Sequence, residues 1–253
     1  MAPPAVAARA VWRLLRTVAH VLHGLAIVWL TWPGLAPAQR QARVGWWAGK
    51  LLRGLGVQSR LEGRFAEGGV LLLANHVSWL DIAAIHAVCP QARFVSKADV
   101  LHWPVIGRLT MAADTLFIER ERKRDAMRVV HQTAAALSAG DTVAVFPEGT
   151  TGDGRRLLPF HANLLQAAIS SAMPVQPVVL RYAQPGLPIS PAAAWVGETT
   201  LLRSLWWVAR AEGLCVHVQP LASMDSQLFD RRALALEVRE QIAAALAPHQ
   251  DMA

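Results

Sequence analysis

Val70-Leu71-Leu72-Leu73-Ala74-Asn75-His76-Val77-Ser78-Trp79-Leu80-Asp81-Ile82-Ala83-Ala84-Ile85 is the stretch whose reading decides the fold. Its first five residues are apolar without alternation, the pattern of a short buried strand. Trp79 to Ile85 suits a helix, so Asn75 to Ser78 fall at a strand-to-helix junction. On one continuous helix His76 and Asp81 would point roughly 140° apart. A contact between them therefore requires His76 in the turn and Asp81 in the first helical turn. In that arrangement the carboxylate accepts the proton of one ring nitrogen and fixes the tautomer, leaving the other nitrogen to take a proton from an attacking hydroxyl. Ser78-x-x-Asp81 ahead of an apolar run also reads as a capping box in which Asp81 only ties down the helix start. Ser78 serves as the cap in both readings.

A second junction lies about seventy residues further on. Asp141-Thr142-Val143-Ala144-Val145-Phe146 reads as a β-branched strand and runs into Pro147-Glu148-Gly149-Thr150-Thr151-Gly152-Asp153-Gly154-Arg155-Arg156. The closely spaced glycines permit positive φ and close backbone approach, as a nest of N–H groups around an anion requires. An ordinary Gly-rich turn is the competing reading. Between the two junctions, Thr115-Leu116-Phe117-Ile118-Glu119-Arg120 reads as another strand ending in charge.

Around these points strands are expected near 70–74, 93–96, 115–118, 142–146, 175–181 and 215–219, with helices near 80–88, 104–113, 122–139, 161–172 and 230–247. The alternation predicts an α/β fold, a mostly parallel sheet covered by helices on both faces. Gly140 stands where a helix through Ala139 would stop. Leu234, Val238, Ile242 and Leu246 recur every four residues, a core-facing stripe. The expected organisation is an N-terminal membrane-associated helical segment over 1–56 and a catalytic domain over 57–253.

The order Asn-His-x-Ser-x-x-Asp (75–81), Phe-Ile-x-Arg (117–120), Phe-Pro-Glu-Gly-Thr (146–150) and Pro-Val-Gln-Pro-Val (174–178) resembles the 1-acyl-glycerol-3-phosphate acyltransferase family over roughly residues 70 to 181. The resemblance implies His76 as general base and Asp81 as its orienting partner. It also implies a substrate site drawing on Asn75, Ser78, Arg120, Glu148, Gly149, Thr150, Thr151 and Pro177. The chain departs from the family pattern in three places: Asp114 replaces a glycine, Thr151 an arginine, and Phe160-His161-Ala162-Asn163 a Phe-Lys-x-Gly. The catalytic pair matches the pattern and the head-group side does not. A lyso-ornithine-lipid branch is the alternative to lysophosphatidate.

The reaction needs no covalent enzyme intermediate, because the acceptor's own hydroxyl is the nucleophile. Cys89 and Cys215 lie in apolar surroundings and read as buried small hydrophobes, not as a disulfide or ligands. The nine histidines form no cluster with acidic or thiol partners, so neither a metal nor a cofactor is expected, and His86 reads as a helix histidine. The net charge of +7 comes from 25 basic residues, all but three of them arginine and spread through the chain, which argues against nucleic acid and for anionic lipid or an acidic acyl carrier.

From Thr17 to Gln39 no residue carries a full charge, long enough in principle to cross a bilayer. His20 and His23 share a helix face, Pro33, Gly34 and Pro37 break the far end, and Arg40, Arg43, Lys50 and Arg53 balance Arg9, Arg13 and Arg16. A helix or re-entrant hairpin in the cytoplasmic leaflet of the inner membrane fits this better than a firm span. Val44, Trp47 and Leu51 would form the apolar stripe of a following amphipathic surface helix. Leu35-Ala36-Pro37-Ala38 is a passable cleavage site, yet a signal peptide conflicts with the cytoplasmic setting that the resemblance implies. The expected activity is transfer of a fatty acyl group from an acyl carrier protein or CoA thioester to a lysolipid hydroxyl at a membrane surface. The readings from other classes are a lipid-binding protein without catalysis and a thioester hydrolase.

Overall fold

The computed structural model describes residues 4–118 and 123–250. Seven strands form one sheet: β1 (Gln58–Leu61), β2 (Val70–Ala74), β3 (Arg93–Lys97), β4 (Leu116–Ile118), β5 (Thr142–Val145), β6 (Val175–Ala183) and β7 (Cys215–Pro220). Their order is β1-β7-β6-β2-β5-β3-β4, and every neighbouring pair is parallel except β6 with β7. β2 lies inside the sheet, with Val70 opposite Thr142 on β5 and Ala74 opposite Val178 on β6. Because β2 and β5 run side by side in the same direction, the two junctions leave the same edge of the sheet. That carboxyl edge is where open α/β sheets place their sites.

All five residues of β2 are buried, and the pleat divides them between two cores. Leu72 and Ala74 pack with α2 (Pro37–Leu55), α3 (Leu80–Val88) and α7 (Leu201–Arg210) on one face. Leu71 and Leu73 pack with α5 (Lys123–Ser138), α6 (Leu165–Ser171) and α8 (Arg231–Gln250) on the other. The stripe Leu234, Val238, Ile242 and Leu246 faces this second core, each residue no more than 1% exposed. α4 (Ile106–Ala112) precedes β4. The expected mostly parallel, doubly covered sheet is what the chain forms.

The amino-acid pattern failed to reveal two elements. β1 is an edge strand with every residue exposed, so Gln58-Ser59-Arg60-Leu61 carries no alternation to read. α7 has its N-cap at Thr200, whose hydroxyl accepts from the Arg203 N–H at 3.3 Å. Its Trp206 and Trp207 are half-buried beneath the guanidinium groups of Arg210 and Arg203.

The N-terminal segment is also docked. α1 (Pro4–Leu30) buries Ala10, Thr17, His20 and Gly24 along one side. Near its start, Arg13 donates to the Ala209 and Ala211 carbonyls at 2.9 and 2.8 Å, satisfying the last turn of α7. Midway, His20 Nε2 lies 2.9 Å from the Trp47 carbonyl and its ring stacks on the Trp47 indole. A Cβ on Gly24 would come within 2.3 Å of that indole, so only glycine allows this approach. At the far end Arg108 lies over the Trp29 ring. The stripe expected to make α2 a surface helix therefore turns inward: Leu51 is 6% exposed and Trp47 packs on the core. The outer side of α1 exposes Val11, Leu15, Val18, Leu22 and Trp29, with Trp12 beside them. By length and composition this helix is able to cross a membrane.

Candidate active site

The turn after β2 is held by buried polar side chains. The Asn75 amide donates to the Leu180 carbonyl at 2.9 Å and accepts from the Leu180 N–H at 2.7 Å, tying the end of β2 to β6. His76 is next, its side chain 18% exposed, with Nδ1 2.8 Å from Asp81 Oδ2. The same Oδ2 accepts from the backbone N–H groups of Val77 and Ser78 at 2.7 and 2.9 Å. Asp81 thus performs both tasks read from the sequence, orienting the histidine and closing the helix start. Three donors on one oxygen make the carboxylate a fixed acceptor, so in the neutral ring the hydrogen belongs on Nδ1 and Nε2, across the ring, is the acceptor. The His76 ring lies flat on Phe146 from the second junction, with centroids 4.0 Å apart and planes 10° apart. Phe94 of β3 stacks behind Phe146.

The second junction encloses the first. Glu148, 4% exposed, accepts from the His76 N–H at 2.8 Å and from the Leu158 N–H at 2.9 Å. Burial pushes its carboxyl above the usual glutamate range, and the two N–H bonds only partly offset this. The Gly152 N–H donates to the His76 carbonyl at 2.7 Å. The Thr151 hydroxyl donates to the Trp195 carbonyl, and the Trp195 N–H donates to the Val77 carbonyl at 3.0 Å. Gly149 takes φ 69° and Gly154 φ 77°, the left-handed region that the glycine spacing implied. Gly149 N–H points inward to the Phe146 carbonyl, and Asp153 Oδ1 accepts from the N–H groups of both Arg155 and Arg156. The N–H groups of Gly149, Gly152, Arg155 and Arg156 are therefore engaged within the protein.

Several residues expected at the substrate are interior. Asn75, Ser78 and Glu148 are 1%, 0% and 4% exposed, and Pro177 is buried within β6. The polar atoms of Asn75 and Glu148 are engaged by backbone, so these side chains shape the turn. The Ser78 hydroxyl is buried without a partner among the described residues. Pro177 offers no N–H to the Leu221 carbonyl opposite it, and the buried Gln176 side chain donates there at 2.8 Å instead. Thr150 is exposed and Gly149 and Thr151 half-buried, so these three border open space. Arg120 lies outside the described residues.

Of the three departures from the resembled pattern, Asp114 is accommodated by backbone. It adopts φ 52°, the conformation a glycine would serve there and one that aspartate tolerates. Thr151 is fastened to the loop around Trp195, and in the third departure the His161 N–H donates to the Pro147 carbonyl at 2.8 Å. Beside this loop opens a largely apolar cavity of about 550 Å³, lined by Val6, Arg155, Pro191, Ala194, Trp207 and Arg210 among others. Nothing in the sequence marked it, because its walls come from α1, α7 and two loops. Cys89 and Cys215 are free and buried, and burial pushes the Cys89 thiol up to about 12. Among the described residues no group of three or more His, Cys, Asp or Glu is placed to hold a metal ion.

The acyltransferase family model matches residues 56–181, the span that contains both junctions. The lyso-ornithine lipid O-acyltransferase of Pseudomonas aeruginosa is 37% identical over 207 residues, covering 82% of this chain and 79% of that protein. The 1-acyl-sn-glycerol-3-phosphate acyltransferase of Neisseria meningitidis is 38% identical over 188 residues, covering 73% and 72%. The crystal structure of the 1-acyl-sn-glycerophosphate acyltransferase PlsC from Thermotoga maritima superposes with a TM-score of 0.66 at 18% identity, over 93% of this chain and 97% of that one, and so shares the fold. With the junction geometry, the matched span and relatives aligned over most of their length all in agreement, the chain belongs to the acyltransferase family.

Proposed function

We propose that this protein transfers a fatty acyl group from an acyl thioester, on acyl carrier protein or CoA, to the hydroxyl of a lysolipid at the cytoplasmic face of the inner membrane. The observation that carries the reading is the 2.8 Å contact between His76 Nδ1 and a buried, multiply bonded Asp81. His76 Nε2 takes the acceptor hydroxyl's proton as its oxygen bonds to the thioester carbon. The tetrahedral adduct collapses, the carbon–sulfur bond breaks, and the imidazolium returns its proton to the departing thiolate. Asp81 steadies the imidazolium throughout. Glu148, holding the His76 backbone N–H, anchors the turn whose ring stacks on Phe146.

The acceptor is 1-acyl-glycerol-3-phosphate, with Gly149, Thr150 and Thr151 bordering its head group and Arg120 implied there by the family resemblance alone. A second reading takes lyso-ornithine lipid as the acceptor. It is favoured by Thr151, whose uncharged side chain stands in place of the family's arginine and is fastened to the Trp195 carbonyl. The exposed apolar side of α1 supports attachment in the plane of the membrane, because the opposite side is docked along the catalytic domain.

One experiment tests the chemistry and the acceptor together. Wild type and His76→Ala are assayed with a single acyl donor and each lysolipid. The variant is expected to lose roughly two to four orders of magnitude in turnover on either acceptor. Retention of more than about a tenth of the wild-type rate would exclude a general-base role. Free fatty acid formed without acceptor would identify a hydrolase, and lysolipid binding without turnover in the wild type would identify a binding protein. Strong preference for lysophosphatidate would remove the second acceptor.

A further inference from the structure

Asp81 has a second oxygen, and a residue far away in sequence holds it. Oδ1 accepts from the Tyr182 hydroxyl at 2.7 Å, with Asp81 0% and Tyr182 2% exposed. Tyr182 is the chain's single tyrosine. It stands on β6 two residues beyond Leu180, whose backbone is clamped by Asn75, so one strand grips the catalytic turn from both sides. We propose that Tyr182 is a positioning residue for the His76–Asp81 pair, donating to the back of the carboxylate so that Asp81 orients His76 without binding its proton too tightly. This rests on the acyl-transfer reading above.

The argument turns on what each donor does to the carboxylate. Oδ2 bears the three bonds of the turn, to His76 Nδ1 and the N–H groups of Val77 and Ser78. If Oδ1 had no partner, a buried oxygen would concentrate negative charge with nothing to share it. Such a carboxylate holds the imidazolium more firmly, so a smaller fraction of His76 is free to accept a proton at low pH, and with Oδ1 unheld it no longer fixes the ring for the transfer. The tyrosine O–H draws off part of that charge. It keeps its own proton throughout: burial and the neighbouring Asp81 charge raise its pKa well above the ordinary tyrosine value. No proton or bond in the transfer passes through Tyr182. Among the described residues the other titratable group against His76 is Glu148, which receives the His76 N–H and stays in place in every variant at position 182.

The single tyrosine allows a graded test. Tyr182→Phe removes only the hydroxyl, and growth on fluorotyrosines replaces this one phenol by progressively more acidic, stronger donors. For Tyr182→Phe the acidic limb of the kcat/KM profile is expected to move to higher pH by about half a unit, with kcat lowered about tenfold and both KM values within about twofold. In the fluorotyrosine proteins the same limb is expected to move to lower pH in step with phenol acidity. A tyrosine that only fills space would leave the limb unmoved in both series, and that result overturns the inference. If Tyr182→Phe fails to fold, the fluorotyrosine series decides alone. An unmoved limb with His76→Ala inactive sinks the role of Tyr182 and spares the acyl-transfer reading, whereas an active His76→Ala sinks that reading itself.

Discussion

The two ends of α3 each bury one titratable side chain, and they do so in opposite ways. At the N-terminal end Asp81 is fully buried and accepts hydrogen bonds from His76, Val77, Ser78 and Tyr182. At the C-terminal end His86 is 6% exposed, lies edge-on to Phe94, and has an Nδ1 without a partner among the described residues. A charge is tolerable in the first place because donors replace the water it lost. In the second Nδ1 has no partner among the described residues, and burial lowers the imidazole pKa from 6.5 to about 4. The end under the site is built for ionisation, and the end roofed by α2, where Gly45 approaches His86 and Pro90, is built for packing.

The largest expected effect comes from breaking the ionised end. Asp81→Asn keeps the shape but offers an amide where Nδ1–H needs an acceptor, so the wrong tautomer is favoured. Turnover should fall by about two to four orders of magnitude. Steady-state assays, with circular dichroism to verify the fold, check this; a loss under tenfold would mean that the carboxylate only caps α3.

The packed end should respond in stability and not in rate. Below pH 6.5 an unfolded His86 binds a proton that the folded chain refuses until about pH 4. Its contribution is therefore fully present above 6.5 and is lost as pH falls toward 4, by about 3 kcal/mol in all. Urea unfolding at pH 7 and pH 4.5 should show this loss in the wild type and a smaller one in His86→Met, with the variant's kcat at pH 7 unchanged. Equal losses in both proteins would show that His86 is not what couples stability to acid.

The smallest effect on chemistry belongs to the outer side of α1, which belongs to neither end. Leu15→Gln with Leu22→Gln alters side chains that are 60% and 56% exposed. Liposome flotation should show membrane affinity lowered about tenfold or more, since each leucine contributes on the order of 1 kcal/mol or more when covered by lipid. Turnover on detergent-dispersed substrate should hold. Unchanged flotation would move the attachment to another surface.

The elements legible in the sequence were those whose evidence is local. Val70 to Ala74 and Leu80 to Val88 form the strand and helix that hydrophobic run length and pattern imply, and the stripe from Leu234 to Leu246 is core. The His76–Asp81 contact was readable because both partners lie on one turn, where five residues leave few ways to meet. β1 escaped because an exposed edge strand has no buried face to pattern, and the inward turn of Trp47 escaped because α1, not α2, decides which side is covered.

By itself the sequence determined the alternating fold, the positions of both junctions and the contact between His76 and Asp81, since spacing of a few residues sets each of these. Only the tertiary structure decided that Glu148 holds the His76 backbone and that Asn75 clamps β6. Only it brought Tyr182 to the back of Asp81, and Val6, Arg155 and Trp207 around one cavity. The physical reason is distance along the chain. Asp81 and Tyr182 are 101 residues apart and become neighbours only when β2 and β6 pair in one register, which depends on the whole sheet and is written in no local pattern.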